Sequence, residues 1–170
     1  MEGGEVKVGT ERFCFIDHQV LRSFKEEVLN NVKNGKFIIY EGCKKGGVKL
    51  GKAMYLAYHL NNPIDLIKLM SEGSMELAGW GKFSVKDLDH NNRRCIFEVQ
   101  SSPVALDIKG HTCDDIRGQI AGVCEFAWKE KIDCVETSCI GNGDKFCTFV
   151  VKKNKEFDKS SKIVKQQIRV

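Results

Sequence analysis

Cys134-Val-Glu136-Thr-Ser-Cys139-Ile-Gly141-Asn-Gly143-Asp144-Lys-Phe-Cys147-Thr-Phe149 is the stretch on which the reading of this chain turns. Ile132–Thr137 and Phe146–Val151 carry the residues of two strands, and Gly141 and Gly143 sit in their connection, so the segment predicts a hairpin. Cys139 and Cys147 flank the connection and can face one another across it. Glu136 lies three before Cys139, and on a flat strand the two would point to opposite faces. They can share a site only if the chain leaves strand geometry around Thr137–Ser138. Upstream, Ile116, Ile120, Val123, Cys124 and Ala127, with Trp128 alongside, recur at helical spacing. Thr112 is the expected N-cap, with Asp115 at N3. Cys113 would open that helix, where free amide protons and the dipole favour a thiolate.

Three thiols and a carboxylate form a donor set that zinc accepts. Together they would leave a formal charge of −2, which calls for amide donors from the Gly141–Asp144 loop or a cation such as Lys145 or Arg117. No Cys-x-x-Cys pair is present. Spacing alone therefore also allows these cysteines to be small core residues. His111, two before Cys113, is an alternative ligand. Cys14, Cys43, Cys95, Cys124 and Cys134 read as packing.

The chain's 170 residues suit one domain with a substantial core. The N-terminus has no apolar core of the kind a signal peptide needs, and no apolar run approaches a membrane span. These features point to a cytoplasmic, reducing setting, in which eight cysteines serve better as ligands and core fillers than as disulfides. Over 152–170 there are seven basic residues against two acidic ones, while the body is near neutral. This tail reads as solvated and solubilising, or as a short helix over Asp158–Ile168. No basic run is interleaved with aromatics as a stacking platform needs, which argues against nucleic acid.

Taken in order, residues 1–12 are polar and expected to fray. Asp17 caps a helix with Val20, Leu21, Phe24, Val28 and Val32 on one face. Leu50, Met54, Leu56, Ala57 and Leu60 make a second helix. A third, over Ile64–Leu77, breaks near Gly73. Phe83–Leu88 and Ile96–Gln100 form a hairpin about Asp89–Arg94. Two hairpins joined by a helix, with helices in front, predict an α+β fold with an antiparallel sheet. Gly46–Lys52 matches the first seven positions of a phosphate-binding loop. Ala53 stands where the magnesium-binding hydroxyl belongs, however, so a lysine-rich helix entry is the better reading.

Glu136-x-x-Cys139-x-Gly141-x-Gly143-Asp144-x-x-Cys147-x-Phe149 resembles the signature of the 4-vinyl reductase domain family. Gly79-Trp80-Gly81 before the first hairpin and Ser101-Ser102-Pro103 after it fit the same resemblance, which covers roughly 10–151. Residues 1–151 then form one binding domain, and 152–170 a tail. The resemblance implies a four-stranded antiparallel sheet with helices on one side, helix rather than strand at Phe37–Tyr40, and a homodimer similar to the Golgi vesicle-tethering subunits. It also implies structural zinc on Cys113, Glu136, Cys139 and Cys147. A pocket for a small hydrophobic or aromatic ligand would be lined by Trp80, Phe83, Phe97 and Val99. Phenol-sensing members carry a tryptophan where this chain has Val99.

The expectation is therefore a zinc-stapled, cytoplasmic sensor domain that reports to a protein partner. A tetrapyrrole-related vinyl reductase or carrier, and an assembly subunit, are the alternatives. No dinucleotide fingerprint, no carboxylate pair in a cleft and no nucleophile–base set supports catalysis.

Overall fold

The computed structural model describes residues 6–8, 11–14, 16–105 and 109–169. Val6–Val8 (β1) and Glu11–Phe13 (β2) pair as a small antiparallel hairpin where fraying was expected. Helices His18–Asn31 (α1) and Gly35–Ala57 (α2) follow. Asp17 caps α1, its Oδ1 accepting from the Gln19 amide at 2.8 Å. Phe37–Tyr40 lies within α2, as does the glycine- and lysine-rich run Gly42–Gly51, so no loop exists there to cradle a phosphate.

Asp65–Leu69 (α3) and Met75–Leu77 (α4) are halves of a helix interrupted at Gly73, whose φ of 96° suits glycine. The expected hairpin is Lys82–Asp89 (β3) with Arg94–Gln100 (β4). Asp114–Trp128 (α5) leads into the second hairpin, Ile132–Ser138 (β5) with Cys147–Lys153 (β6). The four strands form one antiparallel sheet in the order β3-β4-β6-β5.

Period-2 alternation turns Cys95, Phe97 and Val99 of β4, and Cys147, Phe149 and Val151 of β6, into the core. α5 lies on β5 and β6, and α2 packs along α5. The α2–α5 crossing is close because it is made by glycine. A Cβ at Gly122 would stand 2.1 Å from the Lys44 carbonyl oxygen, and one at Gly118 2.4 Å from that of Tyr40.

A buried polar network pins the same elements together. Arg117 donates to the Cys134 carbonyl and to Asp114, each at 2.8 Å, and lies over the Tyr40 ring. The Tyr40 hydroxyl and Lys44 Nζ both donate to Asp133 Oδ1, at 2.7 and 2.9 Å. Lys25 of α1 donates to the Thr112 carbonyl and pairs with Asp115. Buried charges are tolerated here because each has a partner.

The apolar face of α1 is divided: Val20 and Phe24 are 60% and 64% exposed, whereas Leu21 packs on the core and Lys25 is buried. Of the two readings of the basic C-terminal segment, the structure has the short helix within Asp158–Ile168 and not the solvated tail. Phe157, Val164, Gln167 and Ile168 are buried, and Lys162–Gln167 (α6) packs against β5. Short apolar residues among the lysines anchor it while the charges stay at the surface. Gln167 accepts from the Glu136 amide at 2.7 Å and donates to the Glu136 carbonyl at 2.8 Å, as a neighbouring strand would.

Candidate metal centre and apolar cavity

Two segments far apart in sequence meet at the start of α5. Cys113 is the N-cap itself, one residue later than the sequence suggests. Thr112 turns away, its hydroxyl directed at the Val104 carbonyl. The Cys113 amide points at Glu136 Oε2, 3.4 Å away.

β5 meets the requirement that Glu136 and Cys139 share a face by breaking its own register. Glu136 pairs with Phe149 and Ser138 with Thr148, so Thr137 is an extra residue, a β-bulge. Beyond it, Ile140–Asn142 makes a short 3-10 turn and Gly143 adopts φ 91°. That turn brings the Ile140 amide to within 3.4 Å of Cys147 Sγ. Asp144 Oδ2 accepts from the Cys139 amide at 2.8 Å and holds the turn.

The outcome is that one ligating atom from each of Cys113, Glu136, Cys139 and Cys147 lies within 4.8 Å of the others, with all four residues buried. Cys113 and Cys147 sulfurs are 3.7 Å apart, and those of Cys147 and Cys139 3.9 Å. His111 stands outside the cluster, its Nδ1 3.7 Å from Glu136 Oε2.

Without a cation these four acids suppress one another. Burial, followed by the charge at Cys139, pushes the Glu136 carboxyl up to about 9. Hydrogen bonding to Cys139 and Cys147, then burial, pushes Cys113 far above the usual thiol range. Cys139 is held far below it because Cys113 and Cys147 both donate to its sulfur. One negative charge is shared where four could form. Glu136 Oε1 is also buried with no hydrogen-bond partner. A divalent ion answers both conditions by ionising the whole set and engaging the orphaned oxygen. Neither cation expected to balance the charge touches sulfur. Arg117 is bound to Asp114 and the Cys134 carbonyl, and Lys145 lies over Phe146. The Ile140 amide, 3.4 Å from Cys147 Sγ, and the Ser102 hydroxyl, 3.7 Å from Cys113 Sγ, supply described polar contacts instead.

A second feature lies along α2. A cavity of about 410 Å³ opens between Leu50 and Met54 of α2, Met75 of α4, Trp80 and Gln119 of α5, with Cys14 at its rim. Of the residues expected to line a pocket, Trp80 does so. Phe83, Phe97 and Val99 pack in the core at 3% exposure or less and line neither described cavity. The inward alternation that marked them as candidates is the same pattern that buries them. Leu50, Met54 and Gln119 were missed as lining. A glutamine among Ile116, Ile120 and Val123 was the available signal. Cys14 is exposed and Cys43 half-buried, so neither is core filling.

No protein-family model matches the chain. An uncharacterized protein of Methanocaldococcus jannaschii, MJ0150, is 45% identical over 79 residues, 46% of this chain and 46% of that protein. The match thus spans less than half of either. Among solved structures, the phenol-responsive sensory domain of the transcription activator PoxR, crystallised with phenol, superposes with a TM-score of 0.79. It covers 100% of this chain and 90% of that one at 14% identity. A vinyl-4-reductase family protein from Methanocaldococcus jannaschii gives a TM-score of 0.54 at 19% identity, covering 82% and 83%. The chain has the vinyl-4-reductase fold. Trafficking protein particle complex subunit 3 from Naegleria fowleri, covalently bound to palmitic acid, is a further likeness. Its TM-score is 0.61 at 12% identity, over 79% and 93%.

Proposed function

We propose that this vinyl-4-reductase-fold chain is a member of the 4-vinyl reductase family and a zinc-stapled sensor for a small hydrophobic molecule. The observation that carries the reading is the apolar cavity along α2 and α5, of a size usual for small-molecule sites. The likeness to a phenol-responsive sensory domain agrees with it.

Zinc follows from donor chemistry. Three soft thiolates and one carboxylate suit a tetrahedral borderline-soft ion, whereas magnesium or calcium would demand oxygen. With four protein ligands no position remains for water or substrate, so the ion is structural. Its role is to tie the N-terminus of α5 to the β5–β6 connection. α5 carries Gln119 into the cavity wall, so fixing the helix fixes that wall. The outward stripe of Ile16, Val20, Phe24 and Val32 is the face we assign to a homodimer. The same stripe favours the second reading, an assembly subunit.

Native mass spectrometry of freshly purified protein tests the proposal. The expected spectrum shows a dimer with one zinc per chain and a small organic mass released on denaturation. Metal-free protein whose eight cysteines all titrate while folded would overturn the staple. A cavity that takes up no apolar probe would overturn the sensor and leave the assembly reading.

A further inference from the structure

Gln119 is the one side chain common to this cavity and its neighbour that carries a hydrogen-bonding amide, and its Oε1 is buried without a partner. The neighbouring hollow, of about 400 Å³, shares Leu50 as well and is lined by Arg12, Cys43 and Lys49. An unmet carbonyl in a wall that is mostly apolar, with Ser74 and Tyr58 its hydroxyl-bearing side chains among the described residues, has a physical cost. Its surroundings do not relieve it. The Ser74 hydroxyl on the same cavity is already committed to the Leu69 carbonyl at 2.8 Å. The backbone around Gln119 is also closely held: a Cβ on Gly47 would meet its carbonyl oxygen at 2.5 Å. The residue sits where α2 and α5 touch and has little freedom to withdraw.

We propose that Gln119 is the specificity-determining residue of the cavity, and that its Oε1 accepts a hydrogen bond from the single donor of a compact, largely apolar ligand. This inference rests on the binding-module reading above and deepens it. The ligand class is a one- or two-ring or similarly sized hydrocarbon body bearing one hydroxyl or N–H. A carboxylate or phosphate is disfavoured, because an amide oxygen repels it and no cation is among the described side chains lining this cavity. A ligand with no donor leaves Oε1 desolvated and unpaired and is discriminated against on that account. The polar contact comes from α5, the helix held at its start by the metal cluster, and not from β4, whose Val99 offers none.

The test compares 1-naphthol with 1-methoxynaphthalene, near-equal in shape, by calorimetric titration of the full chain and of Gln119→Leu. Wild type should prefer the naphthol roughly tenfold or more, the size of one buried hydrogen bond. Gln119→Leu should reduce that preference to about threefold or less while binding the methoxy compound at least as well. Iodoacetamide labelling locates the site. Cys14, exposed at the rim, should be alkylated more slowly when either compound is bound. Gln119→Met is the second variant if leucine disturbs the fold, as judged by circular dichroism. Equal wild-type affinities, a preference for the methoxy compound, or a preference that survives in Gln119→Leu would each overturn the role of Gln119 and leave the binding module standing. Binding of neither compound, with Cys14 labelling unchanged, would overturn the module as well.

Discussion

Gly122→Ala sets two known effects against each other. In an exposed helix, alanine in place of glycine gains about 1 kcal/mol of helix propensity. At this site the added Cβ would lie 2.1 Å from the Lys44 carbonyl oxygen, 2.7 Å from the Val48 amide nitrogen and 2.8 Å from Gly47 Cα. All three atoms are backbone of α2, so no side chain can swing aside. An ordinary contact needs at least 3.4 Å, and α2 would have to retreat by more than 1 Å over several residues. Overpacking of cores costs about 1–3 kcal/mol, and a rigid-helix displacement belongs at the upper end.

Net of propensity, the expected loss is about 2 kcal/mol, or a Tm lower by roughly 4–8 °C in a chain of this size. The control lies on the facing helix, α2. Gly46 has nothing within 4 Å of its added Cβ, and Gly46→Ala should stabilise by about 0.5–1 kcal/mol. Urea unfolding at constant m-value reads both. If Gly122→Ala were as stable as wild type, or Gly46→Ala as harmful, the packing argument for the α2–α5 crossing would be wrong.

If the proposed zinc staple holds, Cys139→Ser should abolish stoichiometric zinc, measured by elemental analysis of dialysed protein, and lower the Tm by about 5 °C or more, since an ion bound only by the folded state adds to folding free energy. Retained zinc would show that Cys139 is not a ligand. Burial lowers the Lys44 ammonium's proton affinity, but Asp133 and Glu125 outweigh it, so the folded state holds this proton above the ordinary 10.5. Its stabilising contribution is therefore complete below about pH 10.5 and declines as pH rises through the folded value. The gap in urea midpoint between wild type and Lys44→Met should stay constant from about pH 7 to 9 and narrow beyond about 10.5. A gap that widened would refute the assignment. Gln167→Ala leaves the buried Glu136 amide and carbonyl unpaired. A loss of about 1–3 kcal/mol is expected, with hydrogen exchange at the Glu136 amide at least about tenfold faster. Unchanged protection would remove α6 from the site.

The strands and the helix between them were legible because their cues are local. Alternation in β4 and β6, the turn residues between strands and the apolar spacing of α5 all act within a few residues. The four donors were legible as a candidate set from spacing, and the family resemblance favoured a metal over core packing for them. What made them converge, the Thr137 bulge, could be required from sequence but not foreseen, since a bulge is settled by pairing with β6. The outward face of α1 was not legible. Val20 and Phe24 look like core until Lys25 is known to have a carbonyl and a carboxylate waiting on α5. The C-terminal segment misled for the complementary reason: seven basic residues dominate its composition, but its docking is decided by Phe157, Val164, Gln167 and Ile168. The cavity depended on which helices cross, and that is written in glycines whose neighbours lie some eighty residues away.

The Gln167 amide has a consequence for how copies of this protein avoid one another. Every open sheet has two outer strands whose free backbone groups can recruit a foreign strand and seed aggregation. On β5 the rung at Glu136 is filled from within by a side chain that copies the two bonds of a strand partner. On β3, the opposite edge, the register slips between Val85 and Asp87, and Lys82, Lys86, Asp87 and Asp89 spread charge along the strand. One edge is capped at a rung and the other is bent and charged, the kinds of feature by which an open four-stranded sheet resists adding a strand.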